Sequence, residues 1–154
     1  MIFLSVHLIN YNNERHIEET LQSILKQNVD FDYEIVVGDD CSTDGTLNII
    51  ETYDAKHPNM FNIKKNSEQL GILKNFKATL DRCSGAFVFD IAGDDMLKTT
   101  DALQKMVNAL KGNHNLGFVD TGFDRYHEDT KTITIFNNES IICGTKEAYK
   151  ETVL

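Results

Sequence analysis

The chain alternates short apolar runs with stretches whose apolar residues recur at helical spacing. Residues 2–9 are almost continuously apolar, the pattern of a strand covered on both faces. Tyr11-Asn12-Asn13 breaks the run. The spacing of Ile17, Leu21, Ile24 and Leu25 then predicts a helix over about 14–27. Asn13 is the expected N-cap, and Glu14, Glu18 and Glu19 suit the positive helix start. A second strand is predicted over 33–38. After the polar loop 39–45, a helix from Thr46 turns Leu47, Ile50 and Tyr53 inward. A short strand follows at 61–65. The next helix is predicted to bury Ile72, Phe76, Leu80 and Cys83, with Gly85 as a left-handed C-cap. A fourth strand covers 86–91. A helix capped by Thr99 or Thr100 comes next, with Leu103, Met106, Val107 and Leu110 facing in and Gly112 stopping it. A fifth strand lies near 116–120. Two alternating segments, about 122–127 and 131–136, read as a hairpin across Glu128-Asp129-Thr130, and another helix is expected from Thr145.

Alternating strands and helices imply an α/β fold, Rossmann-like, with a mostly parallel central sheet and helices on both faces. The chain's 154 residues suit one domain. In such sheets ligands bind beyond the carboxyl ends of the strands, near the point where strand order reverses. Three polar clusters fall there, after the first, second and fourth strands. Two of them are acidic pairs, Asp39-Asp40 and Asp94-Asp95. Carboxylates crowded at one sheet edge repel, so the arrangement calls for a divalent cation, a hydrogen-bonded polar ligand, or both.

Charge narrows the partners. Twenty-four acidic residues against 15 basic ones give a net charge of −9. That excludes nucleic acid as a general partner, because phosphates need a basic face, and it disfavours an anionic membrane surface. A phosphate-bearing ligand stays compatible if a metal screens the charge. Cys41, Cys83 and Cys143 are widely spaced and form no metal motif, so they read as reduced thiols of a cytoplasmic protein. The apolar N-terminus lacks a basic leader and reads as a strand, not a signal peptide. No apolar stretch reaches membrane-spanning length.

Three blocks carry a resemblance. The first is Ser5-Val6-His7-Leu8-Ile9-Asn10-Tyr11-Asn12-Asn13. The second is Glu34-Ile35-Val36-Val37-Gly38-Asp39-Asp40-Cys41-Ser42-Thr43-Asp44-Gly45-Thr46. The third is Gly85-Ala86-Phe87-Val88-Phe89-Asp90-Ile91-Ala92-Gly93-Asp94-Asp95. In this order and spacing, over roughly the first 110 residues, they resemble the family 2 glycosyltransferases of the GT-A fold. The resemblance implies inverting transfer of a sugar from a nucleotide-diphosphate donor, a UDP-sugar above all, to an acceptor hydroxyl. It places that transfer in polysaccharide or glycoconjugate synthesis, with a sugar, lipid-linked or protein acceptor. By matching position, Tyr11 packs on the donor base, Asp40 accepts a hydrogen bond from it, and Lys74 approaches the nucleotide. Asp94 binds ribose, and Asp95 ligates Mn²⁺ or Mg²⁺. Ala92 stands where the family commonly has another acid, and Cys41 replaces its usual glycine. The family's catalytic base normally lies further downstream. Residues 1–110 are therefore expected to be the core of the donor half, and 111–154 the start of the acceptor-side region of a longer enzyme. Work at the inner face of the membrane would require segments beyond these.

The chemistry that the resemblance implies sets its own demands on the residues. A departing diphosphate needs donors, basic residues or a cation. No Walker loop or Gly-x-Gly-x-x-Gly is present, which leaves Lys74, Lys98 and the helix starts. Asp94 and Asp95 would repel a diphosphate unless a hard cation lies between. For the base that inversion requires, Glu128 and Asp129 read as turn acids, leaving Asp120 and Asp124 as candidates on strand-end placement. Plainer readings exist for several residues. Asp39, Asp40 and Asp44 suit helix caps, Lys74 a solvated face, and His7 a buried, hydrogen-bonded histidine. Two other functions fit an α/β sheet with acidic pairs. One is a receiver-type signalling module, although that places its acids after the first strand. The other is an inactive nucleotide-sugar sensor.

Overall fold

The computed structural model describes residues 2–113, 115–136 and 142–145. The chain divides into two compact units, residues 1–101 and 102–154. The first holds β1 (Leu4–Asn10), α1 (Ile17–Leu25), β2 (Tyr33–Asp39), α2 (Thr46–Lys56), β3 (Phe61–Lys65), α3 (Ile72–Leu80) and β4 (Phe87–Ala92). Its four strands form one parallel sheet in the order β3-β2-β1-β4.

That order follows from two successive crossovers in one direction and one in reverse. Right-handed crossovers then place α1 and α2 on one face and α3 on the other. Leu4, Val6, Leu8, Ile35 and Val37 are buried in the strands, and Ile17, Leu21, Ile24 and Ile50 are buried in α1 and α2. β1 is central and closed to solvent on both faces, as its apolar run requires. β4 alternates between covered and exposed positions, with Val88 and Asp90 on the surface.

α3 departs from the expected packing. Ile72 is 76% exposed and Leu80 38%, while Asn75 and Thr79 are buried at 3% and 1%. Gly38 is the reason. A Cβ on Gly38 would lie 1.8 Å from Thr79 Oγ1 and 2.9 Å from Asn75 Oδ1. The helix thus comes down on the bare backbone of β2, and only small or short polar side chains fit that contact.

Gly85 is not the C-cap. α3 gives way at Asp81, and of the described glycines only Gly71 has a positive φ. Gly85 is instead needed for close approach, since a Cβ there would sit 2.5 Å from Ser5 N. The start of α1 also falls later than expected. Asn13 accepts from His16 N and Ile17 N through its backbone carbonyl, and His16 is the capping position. Neither threonine caps the fourth helix, which begins at Ala102, and Thr99 Oγ1 donates to Asp101.

At the sheet's opposite edge, Glu34 Oε1 accepts from Ser5 Oγ (2.7 Å), Ser84 N (2.8 Å) and Ser84 Oγ (2.8 Å). Ser5 Oγ accepts in turn from Gly85 N. This joins β1, β2 and the entry to β4. Burial alone would raise the Glu34 pKa, but the Ser5 and Ser84 hydrogen bonds and the Arg82 charge outweigh it and hold the carboxyl below its usual range.

The second unit contains α4 (Ala102–Gly112), β5 (Leu116–Asp120), β6 (Phe123–His127), β7 (Thr132–Phe136) and β8 (Ile142–Thr145). Leu103 and Val107 are the buried residues of α4. β6 and β7 form the expected hairpin, with Phe123 stacked on Phe136. β5 pairs antiparallel with β8. Apart from Thr145, which closes β8, the helix expected from that residue lies outside the described residues. Among the described residues, no helix is long and apolar enough to cross a membrane.

Candidate functional site

The carboxyl ends of β1, β2, β3 and β4 carry most of the candidate residues. Strand order reverses at β1, with β2 on one side and β4 on the other. Asp40 N donates to Asn10 O (2.9 Å), and Gly93 N donates to Ile9 O (3.0 Å). The two acidic segments therefore leave the sheet on either side of Tyr11, about 10 Å apart at two strand spacings.

Gly93 lets the β4 loop press on β1, since a Cβ there would meet Asn10 Cβ at 2.7 Å. Thr20 Oγ1 pins the same turn by donating to Gly93 O. Tyr11 is 41% exposed, an aromatic face open to a planar ligand. Its backbone is held by donation to Asn13 Oδ1. Asn12, with φ 52°, joins the two turns: its N–H donates to Ser42 Oγ, and its Oδ1 accepts from Thr43 N.

The two residues of the first acidic pair do different things. Asp39 is fully buried. Its Oδ2 accepts from Asn10 Nδ2 (2.7 Å) and its Oδ1 from Ser42 N (2.9 Å), so it builds the turn. Asp40 is buried at 4% and holds the loop after β3. Its Oδ1 accepts from Leu70 N (2.7 Å) and Asn66 Nδ2 (3.1 Å), and its Oδ2 from Gly71 N (2.8 Å). Neither caps α2. Gly45 is the N-cap of α2, and Asp44, one residue before it, accepts from Thr46 N and Oγ1. Cys41, between the pair and the turn, has φ 66°, a conformation easier for the glycine it replaces.

Lys74 lies on the first turn of α3, three residues beyond Gly71, and is exposed. Asp94 and Asp95 are also exposed. Asp95 borders a depression of about 220 Å³ that His7, Ile9, Phe76, Asp90, Ile91 and Ala92 also line. Desolvation there pushes the Asp95 carboxyl above its ordinary range, and the Asp94 charge adds to the shift against an opposing Ala92 backbone bond. His7 is buried as expected. Its Nε2 lies 3.0 Å from Phe76 O, and its Nδ1 lies 2.8 Å from Asp90 Oδ1 without forming a hydrogen bond.

The donor set at Asp94 and Asp95 is hard oxygen, of the kind Mg²⁺ or Mn²⁺ takes. Among the described residues, no group of three or more His, Cys, Asp and Glu side chains could hold a metal. A cation here would fit only with ligands from a bound phosphate or water besides the aspartates.

Asp120 and Asp124 belong to the second unit. Asp120 closes β5 and its Oδ1 accepts from Thr121 N; Asp124 lies within β6. Glu128 and Asp129 fall in the β6–β7 turn, where Asp129 Oδ1 accepts from Thr130 N.

Sequence reasoning missed Asn10, Ser42, Asn66 and Asn75, uncharged residues that fix the orientation of the acids. Lys65 was missed too, and its Nζ donates to Ser42 O (2.9 Å). The one available signal was position: Asn10 and Asn66 sit at the carboxyl ends of β1 and β3.

The chain is similar to several known proteins. An uncharacterized protein of Mycobacterium tuberculosis is 34% identical over 107 residues, covering 70% of this chain and 31% of that protein. The structure of Staphylococcus aureus TarS 1-349 in complex with UDP superposes with a TM-score of 0.66 at 32% identity, over 75% of this chain and 34% of that one. The mannosyltransferase PcManGT of Pyrobaculum calidifontis, in complex with GDP-Man and Mn²⁺, gives a TM-score of 0.69 at 25% identity, over 81% and 36%. The chain spans about a third of the Mycobacterium protein and of PcManGT, and 17% of the whole TarS protein. Its α/β sheet is that of GT-A glycosyltransferases, and the Glycosyl transferase family 2 profile matches residues 5–152. The chain belongs to glycosyl transferase family 2.

Proposed function

We propose that this chain is the donor-binding part of a glycosyltransferase that moves a sugar from a nucleotide diphosphate to an acceptor hydroxyl with inversion. The observation that supports the reading is the exit of the Asp40 and Asp94-Asp95 segments from β2 and β4, on either side of the central strand that Tyr11 follows. A UDP-sugar is the first donor to try. TarS was solved with UDP, whereas PcManGT was solved with GDP-Man, so the base remains the variable to test. Bacterial relatives with poly(ribitol-phosphate) and teichuronic acid in their names support a cell-surface polysaccharide or glycoconjugate product. The acceptor is then a sugar, a lipid-linked glycan or a protein.

In this reading the Tyr11 ring packs on the base, and Asp40 accepts a hydrogen bond from a base N–H. Asp94 accepts from the ribose hydroxyls. Lys74 lies toward the phosphates and offsets part of their charge. Asp95 would hold Mg²⁺ or Mn²⁺, which when bound offsets the charge developing on the departing diphosphate. The acceptor oxygen loses its proton to a base and attacks the anomeric carbon from the face opposite the diphosphate. The bond from that carbon to the diphosphate oxygen breaks, and the electron pair leaves with the diphosphate. Asp120 and Asp124 are the candidate bases within this chain.

Calorimetric titration of UDP with and without Mn²⁺ tests the donor half. Tighter binding with Mn²⁺, lost in Asp95→Ala, is expected; equal affinity in EDTA would refute a metal-assisted site. UDP-sugar turnover by the whole gene product tests transfer itself.

A further inference from the structure

α3 turns a polar stripe toward the sheet, and that stripe is wired to Asp40. Asn75 Nδ2 donates to Gly38 O at 2.9 Å. A carbonyl only accepts, so this bond fixes which way the Asn75 amide faces. Its Oδ1 is thereby turned to Asn66, whose Nδ2 donates to it at 2.9 Å and to Asp40 Oδ1 at 3.1 Å. Asn75, Asn66 and Asp40 are all buried, at 3%, 7% and 4%. Burial makes each bond worth more and each missing partner more damaging.

The Asp40 carboxylate can then be counted. An ionised carboxylate has about four lone-pair positions. Oδ1 gives one to Asn66 Nδ2 and one to Leu70 N. Oδ2 gives one to Gly71 N. A single acceptor position is left, on Oδ2. Without Asn75, the Asn66 amide loses the acceptor that sets its orientation and can rotate, which frees a second position on Oδ1.

We infer that Asn75 is a positioning residue for nucleobase selection: through Asn66 it restricts Asp40 to one acceptor position, which suits a base with a ring N–H. Uracil and guanine carry such a ring N–H. Cytosine presents a ring nitrogen that accepts beside an amino group that donates: with one position left, Asp40 meets the ring nitrogen acceptor to acceptor, whereas a second freed position would admit the amino group. Asn75 itself touches no ligand. The inference rests on the nucleotide-sugar reading, with Asp40 facing the base.

The test compares UDP with CDP in the presence of Mn²⁺, by competition titration on wild type, Asn75→Ala and Asn75→Ser. Serine keeps a short polar group on the face toward the Gly38 carbonyl but draws its oxygen back from Asn66, so it separates orientation from folding. Mn²⁺-pyrophosphate serves as a probe that carries no base. The expected result is a UDP-over-CDP preference that falls about tenfold in both variants, with pyrophosphate affinity unchanged. An unchanged preference in a folded variant overturns the inference. So does a parallel loss of UDP, CDP and pyrophosphate affinity, which is the mark of a purely structural role. If wild type binds pyrophosphate but no nucleoside diphosphate, the nucleotide-sugar reading falls, and the inference with it.

Discussion

Replacing Gly38 by alanine should loosen the seat of α3 and, through it, the donor site. The new Cβ would begin 1.8 Å from Thr79 Oγ1 and 3.0 Å from Thr79 Cβ, where ordinary contact starts at 3.4 Å. Threonine has two helical rotamers, but turning Oγ1 away gives up its bond to Asn75 O and leaves Cβ at 3.0 Å, so rotation gives little relief. The helix must retreat, stretching the Asn75–Gly38 hydrogen bond as it goes. Overpacking of this kind costs about 1–3 kcal/mol, and a weakened buried hydrogen bond adds about 1 kcal/mol. The sum is a large share of a typical stability of about 5–15 kcal/mol. Urea denaturation reads it as a lower midpoint at unchanged slope. The cause is checked in a Thr79→Ala background, which removes Oγ1. There the alanine at 38 should cost at least about 1 kcal/mol less, since residues in contact do not behave additively. Neutrality of Gly38→Ala, or additivity of the two changes within about 0.5 kcal/mol, would refute the close-approach argument.

Three further outcomes are expected. Glu34 has a folded pKa below its ordinary 4.5, so its contribution is present above that value and lost as pH falls through the folded one. Stability curves should show Glu34→Gln with a shallower acid limb than wild type below pH 4.5, and identical limbs would count against the Ser5–Ser84 clamp. Asp95 has the opposite sign. Its folded pKa lies above 3.8, so the folded protein holds the proton more tightly, and stability falls as pH rises through that window. Protons then compete with a cation, and Mn²⁺ affinity, read by electron paramagnetic resonance, should rise over the same window, whereas a flat profile would remove Asp95 from the ligand set. Cys41→Gly should stabilise by about 0.5–1 kcal/mol, because a side chain at φ 66° is strained. A lower midpoint in thermal or urea melts would mean that the thiol's packing outweighs its backbone.

The sequence made the parallel core legible because burial leaves few ways to write it. β1 must be apolar throughout, and the acids following β2 and β4 can only fall at the carboxyl edge. α3 was misread for a definite reason. The spacing of Ile72, Phe76 and Leu80 is a valid helical stripe, but periodicity does not register a bare backbone on the opposing sheet. Gly38 reverses the preference by admitting Thr79 and Asn75, and Ile72 and Leu80 go outward. Gly85 misled in the same way, since glycines chosen for close approach and for positive φ look alike in one sequence. The acids of the site could be named in advance, but the asparagines that aim them could not. An uncharged amide in a loop or helix reads as solvated until its partners are known, as with Asn66 between Asp40 and Asn75.

The Glu34 clamp bears on evolvability. It ties three strand segments together at the rim farthest from the acids, so their alignment does not rely on the turns that follow the strands. Awkward backbone at Asn12 and Cys41 can persist there without letting the sheet slip. Those turns are accordingly free to change chemistry, and a library randomised at 41–44 should keep its fold far more often than one randomised at Ser5, Glu34 and Ser84.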